Sequence, residues 1–285
     1  MEYGKEELRR LQLAELKILK EVAALCDRNN LTWFLEGGSA LGAVRHGGFI
    51  PWDDDIDVGM PRADYDKFLE IAREGLPDWL RLDNPENKTS MACTFSKVCW
   101  VGTVFETEET KAAGYDQGIF IDIFPYDKVS SNRKTRRKQL RIASEAVRLK
   151  YLYFSPRVSV PHDGLLGSAE KLFCALAHML LKRFSSAKAI NMKFQKSVFM
   201  VSNTDAPFCD GDLVTTLSFP YINPLKFEDL VPCKMVEFEG NAFPVPRDVN
   251  RYLSNLYGDD WSVIPPKEKQ KNHAPTTLAF SEVVD

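Results

Sequence analysis

LEGGSALGAVRHGGFIPWDDDIDVG, residues 35–59, decides how the rest of this chain is read. Four aspartates fall within five positions: Asp53, Asp54, Asp55 and Asp57. Carboxylates this close repel one another, so either solvation on a loop or a bound cation makes the crowding tolerable. Ile56 and Val58 alternate with Asp55 and Asp57, the pattern of a strand with one face on a core. Residues two apart in a strand share a face, ~7 Å apart at their backbones. Asp55 and Asp57 are therefore expected together, Asp53 joins them if the strand starts early, and Asp54 points away. Oxygen-rich sets of this kind suit Mg²⁺ (or Mn²⁺), which takes a few carboxylates and leaves positions for substrate phosphates. An EF-hand reading aligns Asp53, Asp55 and Asp57 but fails where Val58 stands for the required glycine, and Pro61 opens a helix inside that loop.

Upstream, Leu31, Trp33 and Leu35 alternate as in a strand, and Gly37-Gly38-Ser39 reads as a tight turn. Ser39 is expected to cap a short helix running through Arg45. Backbone N–H groups at such a helix start can cradle a phosphate, and glycine allows close approach. Arg45, His46 and Lys97 are cations available for phosphate oxygens. Downstream, GIFIDIF (118–124) reads as a buried strand in which Asp122 is a carboxylate that needs a partner. If that strand lies beside the Asp55/Asp57 strand, three carboxylates converge. A glycine turn, Asp-x-Asp and a third aspartate on a neighbouring strand make a minimal nucleotidyltransferase-type site, in which metals held by carboxylates clamp a phosphate.

The rest of the chain fits this frame. It has 285 residues, net charge −3 and 44% hydrophobic residues, ordinary for a globular protein and no signature of a nucleic-acid binder. Its six cysteines contain no CxxC pair, so neither a zinc site nor a disulfide framework is read from them. The amino terminus MEYGKEELRRLQ is charged, unlike a secretory signal, and the apolar run Leu172–Leu181 is too short to span a bilayer. A cytoplasmic protein is expected. Residues 5–28 carry a helical apolar stripe, and residues 131–200 read as three helices, the first basic from Arg133 to Arg141. The expected layout is an N-terminal helix (1–30) packing on the core, an α/β core (31–127), a helical insertion (128–205) and a C-terminal segment (206–285) folding back on the core.

The stretch EGGSALGAVRHGGFIPWDDDIDVGMPRADYDKF resembles the signature of the LicD family, phosphocholine transferases that also resemble the fukutin group. GIFIDIFPYD, VEFEGNAFPVP and YLSNLYGDDW...PPKEKQKNH resemble its further blocks, so the likeness covers roughly residues 31–127 and 236–273. The resemblance implies an α/β (α+β) fold: a nucleotidyltransferase-like core with a mixed β-sheet flanked by helices, plus a helical insertion. It also implies a CDP-linked donor such as CDP-choline and a divalent metal. On the matching positions it implies Asp53, Asp55, Asp57 and Asp122 as metal-site carboxylates, with Asp55, Asp57 and Asp122 catalytic. Gly37, Gly38, Ser39, Arg45, His46, Lys97 and His273 are then phosphate or donor contacts.

The expected reaction moves phosphocholine to a hydroxyl of a cell-surface glycan or teichoic-acid-type precursor, lipid-linked at the inner membrane face, with release of CMP. The basic helix 133–141 is the expected peripheral membrane contact. Choline's quaternary ammonium suits an aromatic cage, for which Trp52, Trp100, Tyr115, Phe120 and Tyr126 lie near the motifs. Two other readings share the residues: a nucleotidyl or sugar-phosphate/polyol-phosphate transferase, and a non-catalytic nucleotide- and metal-binding module.

Overall fold

The structure is a computed structural model that describes residues 3–155, 162, 164–201 and 208–281. Helix α1 (Lys5–Arg28) buries Leu11, Ile18, Val22 and Leu25, the stripe expected from helical spacing. Asn29 caps its end, with a side-chain amide on Leu25 O, and Asn30 turns the chain away at a left-handed φ of 52°. Strand β1 is only Phe34–Leu35 and runs straight into α2 (Gly37–His46). The expected strand from residue 31 is thus confined to its last two residues. Ser39 is not the helix cap: Glu36 holds that position, and the Ser39 hydroxyl instead accepts the Asp57 N–H at 2.9 Å.

Strand β2 (Asp57–Pro61) leads through the cap Pro61 into α3 (Arg62–Gly75). Next come β3 (Leu80–Asp83), β4 (Ser96–Trp100), β5 (Val104–Glu106), α4 (Glu108–Ala113) and β6 (Phe120–Val129). Three helices follow, α5 (Arg133–Phe154), α6 (Gly164–Phe184) and α7 (Ala187–Val198). Asn132 starts the first of them by accepting the N–H groups of Lys134 and Thr135. The chain then forms β7 (Leu213–Thr215), β8 (Leu225–Lys226), α8 (Phe227–Leu230), β9 (Lys234–Phe238), β10 (Asn241–Val245), α9 (Val249–Tyr257) and β11 (Thr277–Ala279).

The principal sheet has the order β1-β2-β6-β4-β3, with β7 on the far end of β6 and β8 on β7. Only the β2–β6 pair is parallel; the other pairs are antiparallel. β6 is buried along almost its whole length, as its apolar run requires. This mixed sheet flanked by helices is a nucleotidyltransferase-like α+β arrangement. The tail returns to the core: β11 pairs with β5 in a separate two-stranded sheet, and the Phe243 ring of β10 lies tilted 6.0 Å from Trp33. A second, smaller apolar core joins Val129 to Ala143, Ala146, Phe194 and Val198 of α5 and α7. The expected boundary at 205/206 lies among residues outside those described. No helix of the described residues is long and apolar enough to cross a membrane.

Candidate active site

Strand registry builds the centre of the site. Asp57 and Asp122 are direct partners on parallel β2 and β6, and Lys97 of β4 is the partner of Asp122 on its other side. In-register residues point to the same face, with strands about 4.8 Å apart. A row of carboxylate, carboxylate and ammonium therefore crosses three strands. Lys97 Nζ lies 2.5 Å from Asp122 Oδ1, and both side chains are buried. Burial pulls the Lys97 ammonium down, but Asp122 outweighs it and holds it above the usual lysine value.

The other aspartates do not lie on a strand. Asp53, Asp54 and Asp55 occupy the irregular segment before β2, whose ladder reaches back only to Ile56, where Asp122 N–H meets Ile56 O at 2.9 Å. The same-face rule for strands thus does not position Asp53 or Asp55. Asp54 is fully buried and clasped from both termini. Tyr3 OH donates to its Oδ2 at 2.8 Å, and the His273 backbone N–H reaches both oxygens at 2.8 and 3.0 Å. The clasp places the His273 ring 3.7 Å from Asp54 Oδ1 and from Asp55 Oδ2. Those carboxylates raise its pKa to about 9, although the side chain is 79% exposed and solvent screens the charge.

Negative charge dominates. Burial, then neighbouring carboxylates, push Asp53 up to about 8 and Asp57 well above the ordinary value, while Asp55 rises to about 6 with His273 opposing. Burial also raises Asp122, with Lys97 opposing. Glu15 of α1 is fully buried with neither carboxylate oxygen partnered, and is raised by burial and by the aspartates. The first turn of α2 abuts this cluster. A Cβ on Gly38 would stand 2.7 Å from Asp53 Oδ2, and one on Gly37 3.2 Å from Asp57 Oδ2 at a φ of +53°. The positive end of α2 thus already faces carboxylates.

The sequence-predicted residues divide accordingly. Asp53, Asp55, Asp57, Asp122, Gly37, Gly38, Ser39, Lys97 and His273 share this neighbourhood. Arg45 and His46 lie at the opposite end of α2 from its glycines. Arg45 donates to His46 Nε2, Trp261 O and Val263 O, which ties α2 to the tail. Among the described residues, no three His, Cys, Asp or Glu side chains are gathered into a metal-ligand set, and Asp122 gives an oxygen to Lys97. The donor chemistry nevertheless fits Mg²⁺ or Mn²⁺: hard carboxylate oxygens, buried, with more negative charge than Lys97 and His273 offset.

Several residues carry the site without having stood out in the sequence. Glu36, the cap of α2, is buried and raised to about 8, with Oε1 accepting from Tyr126 OH and Oε2 unpartnered. Tyr252 OH accepts the Gly37 N–H and also receives Tyr126 OH. A cleft of about 280 Å³ opens over Glu36, Gly38 and Asp57, walled by Phe124, Phe219, Tyr221 and Tyr257. The aromatics expected as a cage do not line this cleft. Trp100 packs on Trp79, Tyr115 donates to Asp83, Phe120 stacks near Phe105, and Tyr126 is committed to Glu36, so all four belong to the core. Trp52 is only half-buried and packs by His46. Position next to Gly-Gly could have flagged Glu36; nothing local marks Phe219 or Tyr221.

A family described as LicD/FKTN/FKRP, nucleotidyltransferase domain, matches residues 30–169, which include every strand of the Asp57–Asp122–Lys97 row. Residues 30–169 are a LicD-family domain. A lipopolysaccharide cholinephosphotransferase LicD of Haemophilus influenzae is 29% identical over 282 residues, 93% of this chain and 95% of that protein. The ribitol 5-phosphate transferase FKRP of Homo sapiens is 45% identical over 49 residues, 16% of this chain and 10% of that protein. An uncharacterized protein of Rickettsia typhi is 32% identical over 117 residues, 40% of this chain and 35% of that protein. The family connection reaches well beyond the aspartate motif, since the Haemophilus protein aligns along nearly the whole LicD-family chain described here.

Proposed function

We propose that this LicD-family enzyme is a phosphotransferase acting on a glycan, moving phosphocholine from CDP-choline to a glycan hydroxyl with release of CMP. The observation that carries this reading is the row Asp57–Asp122–Lys97 set against the glycine start of α2, with Asp57 at its end lining an aromatic-walled cleft. Similarity to a cholinephosphotransferase and, over a short segment, to a ribitol 5-phosphate transferase supports transfer of a substituted phosphate.

Asp53, Asp55, Asp57 and Asp122 would hold Mg²⁺ or Mn²⁺. Bound there, the cation supplies charge neutralisation to the donor diphosphate. The chain's own groups do the rest. Gly38, Ser39 and the His273 imidazolium orient the phosphates, and Lys97 keeps Asp122 ionised and fixed. Asp122 accepts the proton of the acceptor hydroxyl as its oxygen bonds to the choline-bearing phosphorus. The phosphorus–oxygen bond to CMP breaks, and CMP leaves with the electron pair. Phe219, Tyr221 and Tyr257 receive the quaternary ammonium. The basic face of α5 brings the enzyme to an anionic membrane that carries a lipid-linked acceptor.

Product identification tests this. With choline-labelled CDP-choline, divalent cation and acceptor, CMP and a choline-labelled acceptor are expected, and both are lost in Asp57→Asn. Release of phosphocholine with the nucleotide attached to the acceptor would establish nucleotidyl transfer instead.

A further inference from the structure

Helix α6 is the anomaly of the fold. Leu166, Leu172, Phe173, Leu176, Met179, Leu180 and Phe184 are between 47% and 77% exposed, on a helix of 21 residues. Among the described residues, neither apolar core contains any residue of α6. The helix is held on its other side by α5, where His178 Nδ1 meets Leu152 O at 2.8 Å and Lys182 lies over the Tyr153 ring. Isolated exposed leucines are ordinary, but a continuous apolar helix face on a globular protein marks a site of contact.

Charge identifies what covers it. The chain carries net charge −3, yet α5 alone has eight basic residues against Glu145. Arg133, Lys134, Arg137, Lys138 and Arg141 are exposed, while Arg136 is half-buried and donates to Ser130 O and Ser131 O. α6 adds Lys182 and Arg183 in its last turn. Two copies meeting through α6 would bring its own Lys182 and Arg183 together beside the cationic α5 of each, which disfavours self-association. An anionic lipid surface satisfies both features, taking the apolar side chains at the acyl boundary and the cations at the headgroups. Glu170 and Lys171 interrupt the middle of the helix, and it does not meet the requirement for crossing a bilayer, so it lies in the plane of the interface.

We propose that α6 is an in-plane membrane helix, inserted by its Leu172–Phe173–Leu176–Leu180 face into an anionic bilayer and oriented by the cations of α5. The attachment is independent of the transfer chemistry. It assigns the grip to apolar insertion, whereas charge on α5 alone would give a weak contact that salt abolishes.

Vesicles of mixed zwitterionic and anionic phospholipid test it, by co-sedimentation of wild type and of the triple variant Leu172→Gln, Phe173→Gln, Leu180→Gln. These side chains are exposed, so circular dichroism and thermal unfolding should be unchanged while apparent vesicle affinity falls at least about tenfold. In Phe173→Trp, brominated acyl chains should quench the new indole above the wild-type tryptophan background. Equal binding by the triple variant, or an unquenched Trp at 173, would overturn insertion. So would a wild type that ignores vesicles and sediments as a dimer that the triple variant dissolves.

Discussion

The backbone N–H of His273 is bound by both carboxylate oxygens of Asp54, 219 residues earlier in the chain. Tyr3 holds the same carboxylate from the other side. Asp54 is thus a positioning residue, whose loss should cost stability and release His273 from Asp55. Asp54→Ala removes a buried acceptor of three hydrogen bonds from two donors and should destabilise the fold by about 2–4 kcal/mol in urea titration. Tyr3→Phe removes one bond and should cost about 1 kcal/mol. If the clasp positions His273, Tyr3→Phe will also raise KM for the donor more than it lowers kcat.

Asp57→Asn should separate stability from activity. It relieves a buried carboxylate repelled by Asp55 and Asp122, so the metal-free variant should unfold about 1–2 kcal/mol later than wild type. Turnover should fall by about three orders of magnitude, as for loss of a preorganised electrostatic group. Mg²⁺ should raise the Tm of wild type but not of this variant. An equal cation response in both would remove Asp57 from the metal site.

Arg62 and Asp127 test the frame under the site. Arg62 Nε and Nη2 pair with the two oxygens of Asp127 at 2.7 and 3.0 Å, both residues buried. Arg62→Met should cost about 3–5 kcal/mol by stranding Asp127, whereas Arg62→Met with Asp127→Leu should recover most of it. Strictly additive losses in that double-mutant cycle would contradict a coupled pair.

Lys150 gives a pH signature. It is 1% exposed, its Nζ lacks a partner, and burial lowers its pKa from 10.5 to about 8. Between those values the unfolded chain binds more protons, so this residue makes stability rise with pH from about 8 and level off above 10.5. Below about 8 the full penalty is present. Lys150→Met should therefore stabilise the protein at pH 7 by about 2 kcal/mol and flatten that alkaline rise.

Phe219 and Tyr221 address the head group. If they receive a quaternary ammonium, Tyr221→Ala should raise KM for CDP-choline about fivefold to thirtyfold and change KM for CDP-ethanolamine less. The same rise for both donors would indicate stacking on the cytidine instead.

What could be read in advance follows from locality. The α1 stripe, the buried GIFIDIF strand and the Gly-Gly approach to the aspartates are patterns of neighbours in sequence, and all appear in the fold. Ser39 does not cap α2 as expected, since its hydroxyl is taken by a strand residue 18 positions away and Glu36 begins the helix. Arg45 stands at the far end of the ten-residue α2 from the glycines, a separation that residue type alone does not register. The aromatic wall was invisible for a related reason, since Phe219 reaches Phe124 only through tertiary folding. Hydrophobic spacing also cannot distinguish a helix face turned to a core from one turned outward, so the apolar run Leu172–Leu181 does not by itself reveal that α6 is exposed.

The strand order has a temporal consequence. β6 lies between β2 and β4, both of which precede it in the chain, and only β6 brings Asp122 beside Asp57. A nascent or refolding chain can form the β3–β4 hairpin early, but β2 gains no inner neighbour until β6 threads into the gap. The Asp57–Asp122 pair is not formed before β6 joins β2, so under the proposed function a chain stalled at that stage should be inert. Regain of turnover during refolding is thus a clock for insertion of the central strand.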